Sequence, residues 1–331
     1  MQAFHLSFSI PPFASRIRHQ DPVLLTGSCF TEHIGNRMEK GKIRLLQNPH
    51  GILFNPMSIA RSLQACIREE VYTLDRLFFL NELWNSWDFH SRYSHPDPEA
   101  ALEGMNASVR RGAAMIREAA WLVVTFGSAY QYFTRMFARD DMPAGVANCH
   151  KAPGSWFEKR LLDPARMYES WKELLHELRQ LNPGIQVVFT VSPVRHIRDG
   201  LAANNRSKGR LLELAHALSE QVPGCSYFPA YELVIDVLRD YRFFEADMVH
   251  PNSLATDYVW EQFRQACLDT EARDVLDRLA ELHAGLQHRP RFPGTDAYRR
   301  FKAALTARLD KLAAAYPWLD LREERTRVDG S

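Results

Sequence analysis

The sequence predicts an α/β protein with a parallel sheet between two layers of helices, a three-layer arrangement. Three observations lead there. Short, nearly continuous apolar runs at residues 23–25, 121–126 and 185–191 are the length of strands and too short for buried helices. Their continuity, rather than alternation, is what a strand covered on both faces requires. Helical periodicity fills the intervals between them, as βαβ connections demand.

The elements follow in chain order. Residues 1–20 read as an extended lead-in with an edge strand through 3–10. The first buried strand, Val23-Leu24-Leu25, follows Pro22. Gly27 then turns the chain into a helix that runs to about Lys40. Residues 41–56 form a loop carrying Asn48, Gly51 and Asn55, and Pro56 opens a helix to about Arg68. Residues 72–98 are rich in aromatics, including Trp84, Trp87 and Phe89, and read as an ordered insertion beside the site. A helix spans 98–119, with Leu102, Met105, Val109, Ala113 and Ile116 three or four apart. The second buried strand, 121–126, stops at Gly127. Residues 130–148 suggest a β-ribbon turning around residues 140–145. A helix over 164–181, the strand 185–191, a helix over 206–221, a strand at 226–229 and a helix over 230–239 follow. A further helix runs from 253 to about 268. The catalytic domain is placed at 1–286, with its insertion at 72–98. A linker and C-terminal helix occupy 287–331, the helix over 296–315 and the last residues frayed.

Composition narrows the function. With 46% hydrophobic and 24% charged residues, the chain can bury a large core. A net charge of +1 offers no field for nucleic acid. The five cysteines, Cys29, Cys66, Cys149, Cys225 and Cys267, show no paired spacing, so neither a disulfide framework nor a zinc site is expected. No HExxH or His-x-His word stands out; metal and cofactor are expected to be none. No apolar run approaches a membrane span and no secretory segment is visible, so a cytoplasmic location is expected.

Two stretches carry chemistry. In Gly27-Ser28-Cys29-Phe30, a strand turns into a helix and presents a hydroxyl beside the free amides of a helix start. In Asp247-Met248-Val249-His250-Pro251, a carboxylate three residues before a histidine can reach its Nδ1 and leave the other ring nitrogen to act as a base. Together Ser28, His250 and Asp247 outline a catalytic triad. Cys29 adjoins the nucleophile, but successive residues at a helix start point apart, and Cys29 reads as a small core residue.

The sequence resembles the GSCFA family, a branch of the SGNH (GDSL-like) hydrolase superfamily. The words that carry the resemblance are Gly27-Ser28-Cys29-Phe30, the stretch from Asn48 to Pro56, Asn148-Cys149-His150-Lys151, the stretch from Val191 to His196, Asp240-Tyr241-Arg242-Phe243 and the Asp247 to His250 pair. The resemblance implies Ser28 as nucleophile, His250 as general base and Asp247 as orienting carboxylate. It also implies an oxyanion hole, to which the Ser28 amide and Gly51 are candidates. The superfamily's Gly-x-Asn-Asp word is replaced here by Gly127-Ser128-Ala129-Tyr130, so its side-chain donor is missing. Asn148, then Asn55 and Ser128, or the Gly127 amide, are the candidates to replace it. His90, His150, Arg195, His196 and Asn55 are substrate-binding candidates, with a turn cap as the simpler role for Asn55. The implied activity is that of a serine esterase, acyl hydrolase or acyltransferase working through an acyl-enzyme. Its partner would be a small-molecule or glycan acyl ester such as an acetylated sugar. The alternative is a non-catalytic binding or partner-dependent protein that keeps the triad's outline.

Overall fold

The computed structural model describes residue 6 and residues 8–134, 144–288, 291–292 and 294–330. In chain order the strands are β1 (Val23–Gly27), β2 (Leu45–Gln47), β3 (Phe78–Leu80), β4 (Leu83–Asn85), β5 (Trp121–Phe126), β6 (Tyr130–Thr134), β7 (Ala144–Val146), β8 (Phe157–Leu161), β9 (Gln186–Val191) and β10 (Cys225–Phe228). The helices are α1 (Phe30–Lys40), α2 (Pro56–Ile67), α3 (Pro98–Glu118), α4 (Pro164–Leu181), α5 (Leu201–Gln221), α6 (Ala230–Glu232), α7 (Ser253–Cys267), α8 (Thr270–Gln287), α9 (Asp296–Ala315) and α10 (Arg322–Gly330). After α6 the helix widens into π-type turns over Leu233–Leu238.

The central sheet is parallel, in the order β10-β9-β5-β1-β2. Counting only its own strands, this is the 2-1-3-4-5 order of flavodoxin-like sheets. The chain reverses its direction of winding between β1 and β5, which opens a crevice beyond their carboxyl ends. Alternate strand residues serve the two faces. Leu24, Leu122, Val124 and Phe189 pack under α2, α4 and α5. Val23, Leu25, Trp121 and Val123 pack under α1 and α7.

Several boundaries differ from the sequence expectation. β2 lies inside the expected loop, because three half-buried residues are enough to pair with β1 but too few to show a period. α5 begins at Leu201, five residues early. α8, absent from the sequence reading, joins the layers. Its Ala272 and Leu276 face the sheet side, and Val275, Leu279 and Leu282 pack with α9 and α10 in a separate apolar cluster. Of the residues expected to fray, α10 is ordered and its first turn is held, and residue 331 lies outside the described residues. Glu324 of α10 is buried and bonds Lys42 Nζ at 3.0 Å and His283 Nε2 at 2.9 Å. The expected ribbon is present as β6 and β7, with β8 on the other edge of β6; its tip, 135–143, lies outside the described residues. Most of the expected edge strand at 3–10 also lies outside them. The aromatic insertion is ordered around the β3–β4 hairpin and the stack of Phe78 on Trp87 at 3.8 Å.

Candidate active site

β1 ends at Gly27, whose φ of +135° suits only glycine. A Cβ there would lie 2.2 Å from Thr125 O, so β1 and β5 can pair this closely only with no side chain at that point. The Gly27 amide donates to Asn48 Oδ1 at 2.9 Å, which ties the loop after β2 to the turn.

Ser28 does not sit as the sequence suggested. Its residue is 1% exposed, its Oγ makes no hydrogen bond among the described residues, and its amide donates to Thr125 O at 3.1 Å. The strand ladder thus runs one residue further than the turn implies. Ser28 Cβ packs against Gly127, where an added Cβ would come within 3.1 Å of it and 3.2 Å of Phe54. Among the described residues the hydroxyl neither caps α1 nor hydrogen-bonds His250. Cys29 is the N-cap residue of α1 and is half-buried, not a core residue. Burial, and then the charge of Glu32, push its thiol up from the ordinary range. The amides of Phe30 and of Cys29 itself and the charge of Lys208 pull it back.

The Asp247–His250 pair forms as its spacing predicts. Met248 turns through a φ of +59°, bringing Asp247 Oδ2 within 2.6 Å of His250 Nδ1. Asp247 Oδ1 accepts the amides of Val249 at 2.8 Å and His250 at 3.0 Å. The His250 amide and side chain hold the Asp247 carboxyl down to about 2. With Nδ1–H donating to the carboxylate, Nε2 carries the lone pair.

His250 and Asp247 line a cavity of about 520 Å³ at the carboxyl edge of the sheet, together with Phe54, Ser128, Asn148 and His196. Neither Ser28 nor Cys29 lines it. Arg195 lines it too, but its guanidinium is occupied. It stacks on Phe244 at 4.2 Å and Tyr241 at 5.3 Å and donates to Met248 O at 3.4 Å, so it braces the His250 loop. His196 meets Phe54 edge-on at 5.7 Å, and its Nε2 is buried without a partner among the described residues. Burial, then the charges of Lys208 and Lys159, push its imidazole down to about 4, so it is neutral at ordinary pH.

Of the expected oxyanion donors, three are committed elsewhere. The amides of Ser28, Gly51 and Gly127 donate to Thr125 O, Asn48 O and Phe54 O. Asn148 uses Oδ1 to accept the His150 amide at 2.8 Å, while its Nδ2 has no partner among the described residues. Asn55 caps α2, accepting the Ser58 amide at 2.8 Å, as the simpler reading held; it also lines the cavity. Ser128 Oγ accepts the Tyr130 amide at 3.1 Å. His90 and His150 lie outside the cavity lining. His90 packs over Gly51 and accepts the Arg92 amide at 3.2 Å, and His150 bonds Ser86 O at 2.8 Å among the insertion's rings.

The sequence reading missed the polar half of α5. Asn204 accepts the His196 amide, and Ser207 Oγ accepts the Ala129 amide, each at 2.8 Å. Lys208, 1% exposed, donates to Gly127 O at 2.7 Å and Ser192 O at 2.6 Å, tying the ends of β5 and β9 together. Burial pushes its ammonium down to about 7. A signal was available. Residues 204, 207 and 208 continue the buried stripe of Leu211, Leu214, Ala215 and Leu218, and polar residues on such a stripe need partners.

The fold and site define a class: a doubly wound α/β protein with an Asp–His pair at the mouth of a cavity, beyond its strand ends. A family model described as the GSCFA family matches residues 22–263, so the chain belongs to the GSCFA family. A second, described as the GSCFA domain protein, C-terminal domain, matches residues 279–329. No curated protein matches the chain. A solved structure from Streptococcus pneumonia, provisionally described there as a platelet activating factor, aligns with 7% identity and a TM-score of 0.38. The alignment covers 75% of this chain and 83% of that one. Among the described residues, no helix is long and apolar enough to cross a membrane.

Proposed function

We propose that the chain is an acyl hydrolase or acyltransferase of the SGNH type, working through an acyl-enzyme. The observation that carries this reading is the 2.6 Å Asp247–His250 contact at the cavity beyond the strand ends. A carboxylate on Nδ1 fixes the tautomer in which Nε2 accepts a proton and stabilises the imidazolium that results. The nucleophile comes from the turn that ends β1, where the sequence nominates Ser28. Asn148 Nδ2, on the cavity wall and without a partner among the described residues, is the side-chain donor to the oxyanion. Phe54, Tyr130 and Tyr132 give the cavity ring faces suited to an acylated sugar or another small acyl ester. The five free cysteines fit a reducing, cytoplasmic setting.

The test is a panel of short p-nitrophenyl esters and acetylated sugars, with His250→Ala as control. Hydrolysis or transfer that depends on His250 supports the reading. Turnover that survives His250→Ala at the wild-type rate removes it.

A further inference from the structure

We infer that Lys208 is a positioning residue: its ammonium holds the segment beside the turn that ends β1 and the segment behind His250 at one fixed separation, and so sets the distance from nucleophile to base. This rests on the acyl-enzyme reading and adds to it the group that fixes the site's geometry.

The tie lies where the sheet opens. The last bond between β5 and β9 runs from the Ser192 amide to Phe126 O at 2.8 Å. Beyond it the two chains part to form walls of the cavity, one through Ser128 and the other through Arg195 and His196. The carbonyls of Gly127 and Ser192 are left at the fork, and no backbone amide bonds either of them among the described residues. Lys208 Nζ donates to both, at 2.7 Å and 2.6 Å. One nitrogen therefore fixes how far the fork opens.

The same face of α5 holds each segment at a second point. Ser207 Oγ accepts the Ala129 amide and Asn204 Oδ1 accepts the His196 amide, each at 2.8 Å. Positions 204, 207 and 208 share one side of the helix, and all three residues are buried. Two points of attachment leave neither segment free to pivot.

Both segments lead to the groups that react. Gly127 packs on the turn that ends β1, where a Cβ added to it would lie 3.1 Å from Ser28 Cβ. Phe54 O accepts the amides of Gly127 at 2.8 Å and Ser128 at 2.9 Å, which joins the loop of Phe54 and Asn55 to this wall. On the other side the Arg195 amide donates to Val249 O at 3.3 Å, and its guanidinium to Met248 O at 3.4 Å. Those two residues stand between Asp247 and His250. A shift at the fork is thus passed to the turn on one side and to the base on the other. A misplacement of about 1 Å between reacting groups can cost about 10²-fold in rate.

A buried lysine is a costly way to join two strands. No carboxylate bonds its ammonium among the described residues, and an unpaired buried charge is destabilising. An apolar side chain would avoid the charge but leave both carbonyls bare and the fork untied. Stability given up at such a point is the mark of a functional site.

The experiment measures kcat and KM of the full chain on the best p-nitrophenyl ester for wild type, Lys208→Met and Glu324→Ala. The temperature is one at which circular dichroism shows all three folded. Glu324 is buried on α10, outside the cavity lining, so its variant reports what losing a buried polar contact does in itself. Hydrogen exchange of the peptides carrying Ser128 and Arg195 is followed in parallel. Lys208→Met should lower kcat at least about tenfold and leave KM within about threefold, because alignment and not binding is at fault. Exchange should quicken in both peptides, and Glu324→Ala should change neither kcat nor these rates. If Lys208→Met does not fold, Asn204→Ala combined with Ser207→Ala removes the second point on each segment and is read in the same way. A smaller fall in kcat, or a loss carried by KM, with turnover still dependent on His250, overturns the clamp and keeps the acyl-enzyme. Wild type without His250-dependent turnover overturns the acyl-enzyme; exchange then decides the clamp, and unchanged rates in both peptides overturn it.

Discussion

Replacing Ser28 by alanine should leave the protein as stable as before or slightly more so. The Ser28 hydroxyl is buried with no hydrogen-bond partner among the described residues, and the residue's contribution to the sheet is its amide bond to Thr125 O, which alanine keeps. The helix start gains nothing from it, because the N-cap is Cys29 and no side chain caps α1. A buried, unmade hydroxyl costs roughly 1–3 kcal/mol. Alanine removes that penalty and keeps the Cβ that packs on Gly127, at the expense of a void smaller than a methyl group. The net change is a gain of about 1 kcal/mol, or about 2 °C in Tm for a chain of this size. Thermal and urea unfolding of the variant measure it directly. A loss of more than about 1 kcal/mol, the typical cost of a lost helix cap, would mean that the hydroxyl holds a bond the structure does not contain, and the account of its burial would fall.

Three more outcomes follow from the site. Asp247→Asn keeps an acceptor for the two backbone amides but removes the anion from His250 Nδ1. Activity should fall by about 10²–10⁴ with Tm nearly unchanged, since the side chain is half exposed; unchanged kcat/KM would dismiss the pair as a surface contact. Gly27→Ala drives a Cβ to 2.2 Å from Thr125 O at a φ that alanine resists. It should cost roughly 3 kcal/mol or more, and a loss below 1 kcal/mol by urea unfolding would mean the strands separate freely. Lys208 titrates near 7 when folded and near 10.5 when unfolded. The unfolded chain therefore binds more protons between those values, and stability rises with pH through that window. The burial penalty is complete below about 7 and relieved by about 10.5. Lys208→Met should remove that rise, compared by urea midpoints at several pH values; parallel curves for the two proteins would refute the buried cation.

Much of the fold was legible because its strands obey simple rules. The continuous runs that became β1, β5 and β9 are apolar on both faces, and the helices between them show a clean stripe. The Asp247–His250 contact was equally legible, since only two residues separate the pair and leave the carboxylate few other places to go. What failed was local. β2 is three residues long and half-buried, so its pairing with β1 is a tertiary fact rather than a pattern. The direction of Ser28 depends on whether its amide stays in the ladder, and Gly27 permits either course. The amides of Gly51 and Gly127 look free in a motif, but Asn48 O, three residues back in the same turn, takes the first and Phe54 O, from the loop after β2, takes the second. Lys208 was hidden by the habit of reading lysine as surface. Its position on the buried stripe of α5 was the evidence against that habit.

Under the proposed function His250 acts as the base in acyl transfer at the carboxyl edge of the sheet. The most direct measurement is kcat/KM for the best ester of the panel, compared between wild type and His250→Ala at matched fold content by circular dichroism. The account predicts a fall of about 10³-fold or more. A ratio near one would contradict it.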